Sequence, residues 1–74
     1  MTATSTIGQA VRTARKAMGL RQDELAAAAG VGLRFLVELE RGKPTVQLDR
    51  VLSVLQAVGL DLQVVKRGMG ATPP

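Results

Sequence analysis

A chain of 74 residues makes one small domain, and with neither cysteine nor histidine it has no disulfide and no common zinc site to reinforce a thin core. Oligomerisation is the remaining way to add stability. Ten Lys and Arg against six Asp and Glu leave a net charge of +4, which suits a polyanionic partner but equally a plain solvated surface.

The amino-terminal stretch "MTATSTIGQAVRTARK" has no apolar core of the kind that directs secretion, and no run approaches the roughly 18 apolar residues of a membrane span. The chain is therefore expected to be cytoplasmic, with no membrane partner. Residues 1–5 read as a flexible amino terminus. A first helix is expected over residues 7–18, with Thr6 and Gln9 spaced as a capping box and Ile7, Val11 and Ala14 on its inner face. Gly19 ends it. A short second helix follows over residues 22–29, with Asp23 and Glu24 in the first turn, Leu25 as its apolar anchor and an alanine run that lets another helix come close. Gly30 ends it in turn.

The third helix, over residues 33–41, is apolar on most sides. Leu36 and Leu39 are assigned to the core and Phe35, the only aromatic, to its edge. Leu33 and Val37 are then left on the outer face beside Arg34. Such a pair can touch thymine methyls in a major groove or dock a protein, and the small size of the patch favours the groove. Gly42 closes this helix. Pro44 forbids helix just before the fourth, which is expected over residues 46–58 with Thr45 as N-cap and Leu48, Val51, Leu52 and Leu55 as its core stripe. After Gly59 the period changes. "LDLQVV", residues 60–65, alternates like a strand, and no second strand pattern exists in the chain to pair with it. The same strand of another copy is the simplest partner, which makes Leu60, Leu62 and Val64 candidate dimerisation residues; an unpaired extended tail is the alternative. Residues 67–74 read as a flexible tail.

The spacing of residues 20–45, a short helix, a glycine-centred turn at Gly30-Val31-Gly32 and a second helix, is that of a helix-turn-helix, although an ordinary helical hairpin has it too. The residues carry more than the spacing. Gln22, Glu24-Leu25-Ala26, Gly30-Val31 and Glu40-Arg41-Gly42 closely resemble the motif of the lambda-repressor-like, Cro-type (XRE) family, over about residues 7–60. "RFLVELERGKPT" and "VLQAVGLDLQVV" are most similar to HipB-type antitoxins of HipBA-type toxin–antitoxin pairs, whose terminal strands pair across a dimer.

The resemblance implies an all-α fold, a compact four-helix lambda-repressor-like DNA-binding domain over residues 6–59, with a short carboxy-terminal β-strand over residues 60–66 for dimerisation. It implies a nucleoid-associated repressor of its own operon that binds double-stranded DNA at an inverted repeat as a homodimer, with a HipA-like kinase toxin as a further partner. Gln22 is expected on a phosphate, Arg34 on a guanine edge, and Glu38 on a cytosine amino group or a neighbouring cation. Arg41, Lys43 and Thr45 are candidates for backbone contacts. Arg15 and Glu40 resemble the family's structural ion pair. Two caps depart from the family. Arg21 stands where a threonine usually caps the second helix, so Glu24 is expected to reach back and Arg21 to gain a phosphate contact. Gly32 stands where Ser or Thr usually caps the third, and it too is a candidate DNA-binding residue.

A stand-alone phage-type repressor and a protein-interaction module that has lost DNA binding are the other readings. No cofactor is expected. Catalysis is not expected either, since Ser5 and Ser53 have no apparent base and the six carboxylates are scattered.

Overall fold

The computed structural model describes residues 3–66. Four helices fold in the expected order: α1 (Ala3–Ala17), α2 (Gln22–Ala29), α3 (Leu33–Glu40) and α4 (Leu48–Ala57). α3 packs against both α1 and α2, and α4 packs against α2. Val11, Leu25, Leu36, Leu39, Val51 and Val54 are the largest fully buried side chains, and each contributes about 1.5–3 kcal/mol by leaving water. Ile7, Ala14 and Phe35 pack at the edge of this cluster, as their spacing predicts.

All four helices stop in the same way. Gly19, Gly30, Gly42 and Gly59 each take a positive φ, between 71° and 84°. At Gly59 the turn is complete: its own N–H donates to the Gln56 carbonyl at 3.1 Å, and the Leu60 N–H donates to the Leu55 carbonyl at 2.8 Å. Two carbonyls left over at the helix end are satisfied, in a conformation that a residue with a Cβ enters only at a cost.

Several expectations about the elements are corrected. α1 begins at Ala3, so Thr6 lies inside the helix and is not its cap, and residues 3–5 are helical where a flexible terminus is expected. The reason is tertiary. Ser5 rests on Gly42, where an added Cβ would come within 2.9 Å of the Ser5 Cα. One turn on, Gly8 is buried against the Leu39 carbonyl, which a Cβ at that position would overlap. Two small residues thus seat the first turns of α1 on the end of α3.

α4 starts two residues later than expected, with Gln47 rather than Thr45 at its cap position. Val46 packs on the core from the extended stretch before it, which holds the chain out of helix until that point. The core stripe of α4 is also rotated. Val51, Val54, Leu55 and Val58 are buried, whereas Leu48 and Leu52 are 60% and 42% exposed. Two apolar stripes of four residues with the same i, i+3, i+4, i+7 spacing compete on this helix, and the one ending at Val58 faces inward, where α4 packs against α2.

Residues 60–66 carry no strand in the single chain, and among the described residues no element is a strand. An isolated strand has no ladder to join, so the expectation of residues 60–65 as strand is not met within one copy. Residues 67–74, expected as a flexible tail, lie outside the described residues. Among the described residues no helix is long and apolar enough to cross a membrane.

Candidate nucleic-acid interface

The Gly30–Gly32 turn leaves the amino terminus of α3 at the surface, while the start of α2 lies against the far end of α3 through Gln22 and Glu40. Gly32 holds the N-cap position of α3 in an extended conformation without a side-chain cap, leaving backbone N–H groups of the first turn open. Leu33 is 48% exposed and the Arg34 side chain 91% exposed, so an apolar residue and a guanidinium project together from the first turn. Val37, one turn on, is only half-buried.

Glu38 stands between two cations. Its carboxylate lies 3.7 Å from the Arg34 Nε and accepts from the Lys43 Nζ at 3.2 Å. The sequence leaves Glu38 free either to accept from a base or to pair with a neighbour; in the free chain it pairs. Exposed ion pairs of this kind are worth under about 1 kcal/mol, so the three side chains are held loosely. Thr45 is exposed beyond Lys43.

A second group forms where α1, α2 and α3 meet. Arg12, Gln22, Val37, Glu40 and Arg41 line a cleft of about 240 Å³. Beneath it, the Arg15 guanidinium donates to Glu40 from Nε at 2.7 Å and from Nη2 at 3.1 Å, and from Nη1 to the Leu20 carbonyl at 2.8 Å. The side chains of this pair are 10% and 4% exposed. The Glu40 hydrogen bond raises Arg15 above its ordinary pKa, against the opposing effect of burial. Glu40 also accepts from the Gln22 Nε2 at 3.1 Å. The ion pair expected from the motif is therefore formed, and it has a third member: Glu40 fixes the carboxamide at the start of α2.

Arg12 is the residue that sequence reading misses here. It sits one turn from Arg15 on α1, and the signal available was its place in a cluster of cations, which reads equally as a favourable interaction with the helix end.

Arg21 is turned towards its own helix. Its backbone N–H donates to the Glu24 Oε1 at 2.8 Å, the reach-back that the sequence predicts. Its Nε donates to the Asp23 Oδ1 at 3.0 Å, and this hydrogen bond holds the Asp23 carboxyl below its ordinary 3.8. The guanidinium remains exposed.

Of the ten candidate DNA-contacting residues, Leu33, Arg34, Glu38 and Lys43 form one continuous strip, and Gln22, Val37 and Arg41 form the adjoining cleft. Gly32 and Arg21 lie at the two helix starts, and Thr45 is the outlying member. The three candidate dimerisation residues are elsewhere: Leu62 is 40% and Val64 96% exposed, and Leu60 lines a groove against α1.

Residues 11–65 match the helix-turn-helix family. An uncharacterized HTH-type transcriptional regulator of Sinorhizobium fredii, y4mF, is 56% identical over 62 residues, which span 84% of this chain and 82% of that protein. Among solved structures, the MDT Protein superposes with a TM-score of 0.77 at 19% identity, covering 90% of this chain and 94% of that one. That likeness is one of fold.

Proposed function

We propose, since this chain belongs to the helix-turn-helix family, that it is a sequence-specific repressor that binds duplex DNA as a homodimer. In this reading the first turn of α3 enters the major groove. Arg34 takes a guanine edge bidentately, Leu33 and Val37 meet thymine methyls, and Glu38 either takes a cytosine amino group or stays with its two cations. The cleft between α1 and α2 takes a phosphate, with Gln22 held ready by Glu40 and with Arg12 and Arg41 as its cations. Arg21, Gly32, Lys43 and Thr45 supply further backbone contacts. The observation that carries the reading is the projection of Leu33 and Arg34 from an uncapped helix start beside that cleft.

The dimer rests on the unpaired 60–65 segment, which gains a ladder when two copies align theirs. The resemblance to HipB-type antitoxins extends the proposal to a repressor of its own operon, paired with a HipA-like kinase toxin in the bacterial cytoplasm. A kinase-like gene beside its own, whose product co-purifies with this chain, tests that extension.

The test of the DNA reading is selection of bound sequences from a random duplex library at near-physiological salt. A two-fold symmetric consensus is the expected result. Retention without consensus would reduce the interface to phosphate contacts, and no retention would overturn the DNA reading.

A further inference from the structure

The carboxy-terminal face has a hollow on each side of Leu60. On one side an apolar groove of about 510 Å³ runs along α1, walled by Ala10, Thr13, Ala14, Ala17 and Leu60. On the other a mixed recess of about 260 Å³ lies between α4 and the terminal segment, with Leu52, Leu55 and Leu62 beside Ser53, Gln56 and Asp61 in its walls. Leu60 belongs to both, so the two form one surface. Four and five residues beyond Leu60, Val64 and Val65 are 96% and 69% exposed, and neither lines the groove of its own chain. Two bare valines and an empty apolar groove on one small chain are complementary features that the single copy does not bring together.

We propose that the groove on α1 receives Val64 of a second copy, exchanged reciprocally about a two-fold axis. The inference rests on the dimeric reading above and names the surface that would build it. Charge favours a copy as occupant. Residues 44–66 carry Asp49, Arg50, Asp61 and Lys66, two of each sign, so this face meets itself without net repulsion. The groove lies in the half, residues 3–43, that carries seven cations against four carboxylates, so it favours an arriving segment that brings a negative charge. The arriving 60–65 segment has a single charge, Asp61, and α1 carries the opposite one at Lys16, one turn along from Thr13. Reach is adequate too, since five extended residues span about 17 Å, enough to cross an axis passing near Leu60. The exchange buries Val64, which otherwise stays in water, in a domain too small to have stability to spare.

Because the chain has no cysteine of its own, every link formed joins introduced positions, and peptide mass spectrometry tells 17–64 and 10–64 links from like-to-like ones. Ala17→Cys with Val64→Cys, and Ala10→Cys with Val64→Cys, are oxidised in the full chain and analysed by non-reducing electrophoresis and peptide mass spectrometry. The expected result is a covalent dimer containing a 17–64 or 10–64 link in at least one pair. A linked monomer would overturn the proposal in favour of the chain's own segment, and no 17–64 or 10–64 link in either pair would overturn it outright. Alongside, Ala10→Arg blocks the groove at an exposed position. By sedimentation equilibrium it is expected to raise the dimer dissociation constant at least tenfold with an unchanged helical spectrum, and an unchanged constant overturns the assignment. Wild-type protein separates the two levels of failure. If it is dimeric while these tests fail, only the groove is wrong; if it is monomeric, the dimeric reading fails with it.

Discussion

Glu40 accepts three hydrogen bonds, two from Arg15 and one from Gln22. Removing it leaves a guanidinium that is mostly out of water with no anion, so Glu40→Ala is expected to cost about 3 kcal/mol, read by urea denaturation. The double change Arg15→Met with Glu40→Leu is expected to recover most of that loss, because two apolar residues leave no unpaired charge behind. It would not recover DNA affinity, since Gln22 is then held by nothing. Stability and binding thus separate at a single residue. Asp23 offers a milder check. Its pKa is depressed by the Arg21 hydrogen bond, so its contribution is present above the ordinary 3.8 and is lost as pH falls through the lower folded value. Arg21→Ala is expected to return the Asp23 titration, followed by NMR, towards 3.8; an unmoved titration would show that the pair does not persist in solution.

Elements were legible in the sequence where a local signal decides them and were missed where tertiary packing does. The bounds of α2, the four glycine stops, and the inward Leu36 and Leu39 follow from period and turn chemistry, and the structure reproduces them. The cap at Thr6 and the stripe at Leu48 and Leu52 are equally good local patterns. They lose because Ser5 and Gly8 dock at the end of α3 and because tertiary packing turns a second apolar stripe of α4, equal in length, towards the core. Within the candidate interface the motif pointed to Gln22 and Arg34 but not to Arg12, whose place in the cleft depends on how α1 packs against α3. Gly8 makes the conflict measurable. Helix propensity alone predicts that Gly8→Ala stabilises α1 by about 1 kcal/mol. The Leu39 carbonyl occupies the space a methyl group would need, so the expected outcome is a loss of about 1–3 kcal/mol in thermal unfolding. The sign of the change decides between propensity and packing.

For the whole molecule, the division of charge matters more than its sum. The cations lie mostly in the helix-turn-helix half, while the carboxy-terminal face is balanced. That division suits a protein which attracts a polyanion with its helix-turn-helix half. Several interface cations are already engaged, Arg34 and Lys43 with Glu38 and Arg21 with Asp23, so fewer phosphates are neutralised than a count of basic residues suggests. Arg12 and Arg41 have no such partner among the described ion pairs, and they flank the cleft where a phosphate fits. The salt dependence of duplex binding therefore tests site and stoichiometry together. Each phosphate neutralised contributes about −0.9 to the slope of log K against log salt. Arg12→Ala is expected to flatten that slope by about 2 if two copies bind one site and by about 1 if a single copy binds. An unchanged slope would remove Arg12 from the interface. Arg34→Ala is expected to flatten it less, because freeing Glu38 from one cation leaves Lys43 to satisfy it, and instead to blur discrimination at one position of each half-site. A residue that holds the backbone and a residue that reads a base are thus distinguished by which quantity moves, the salt slope or the consensus.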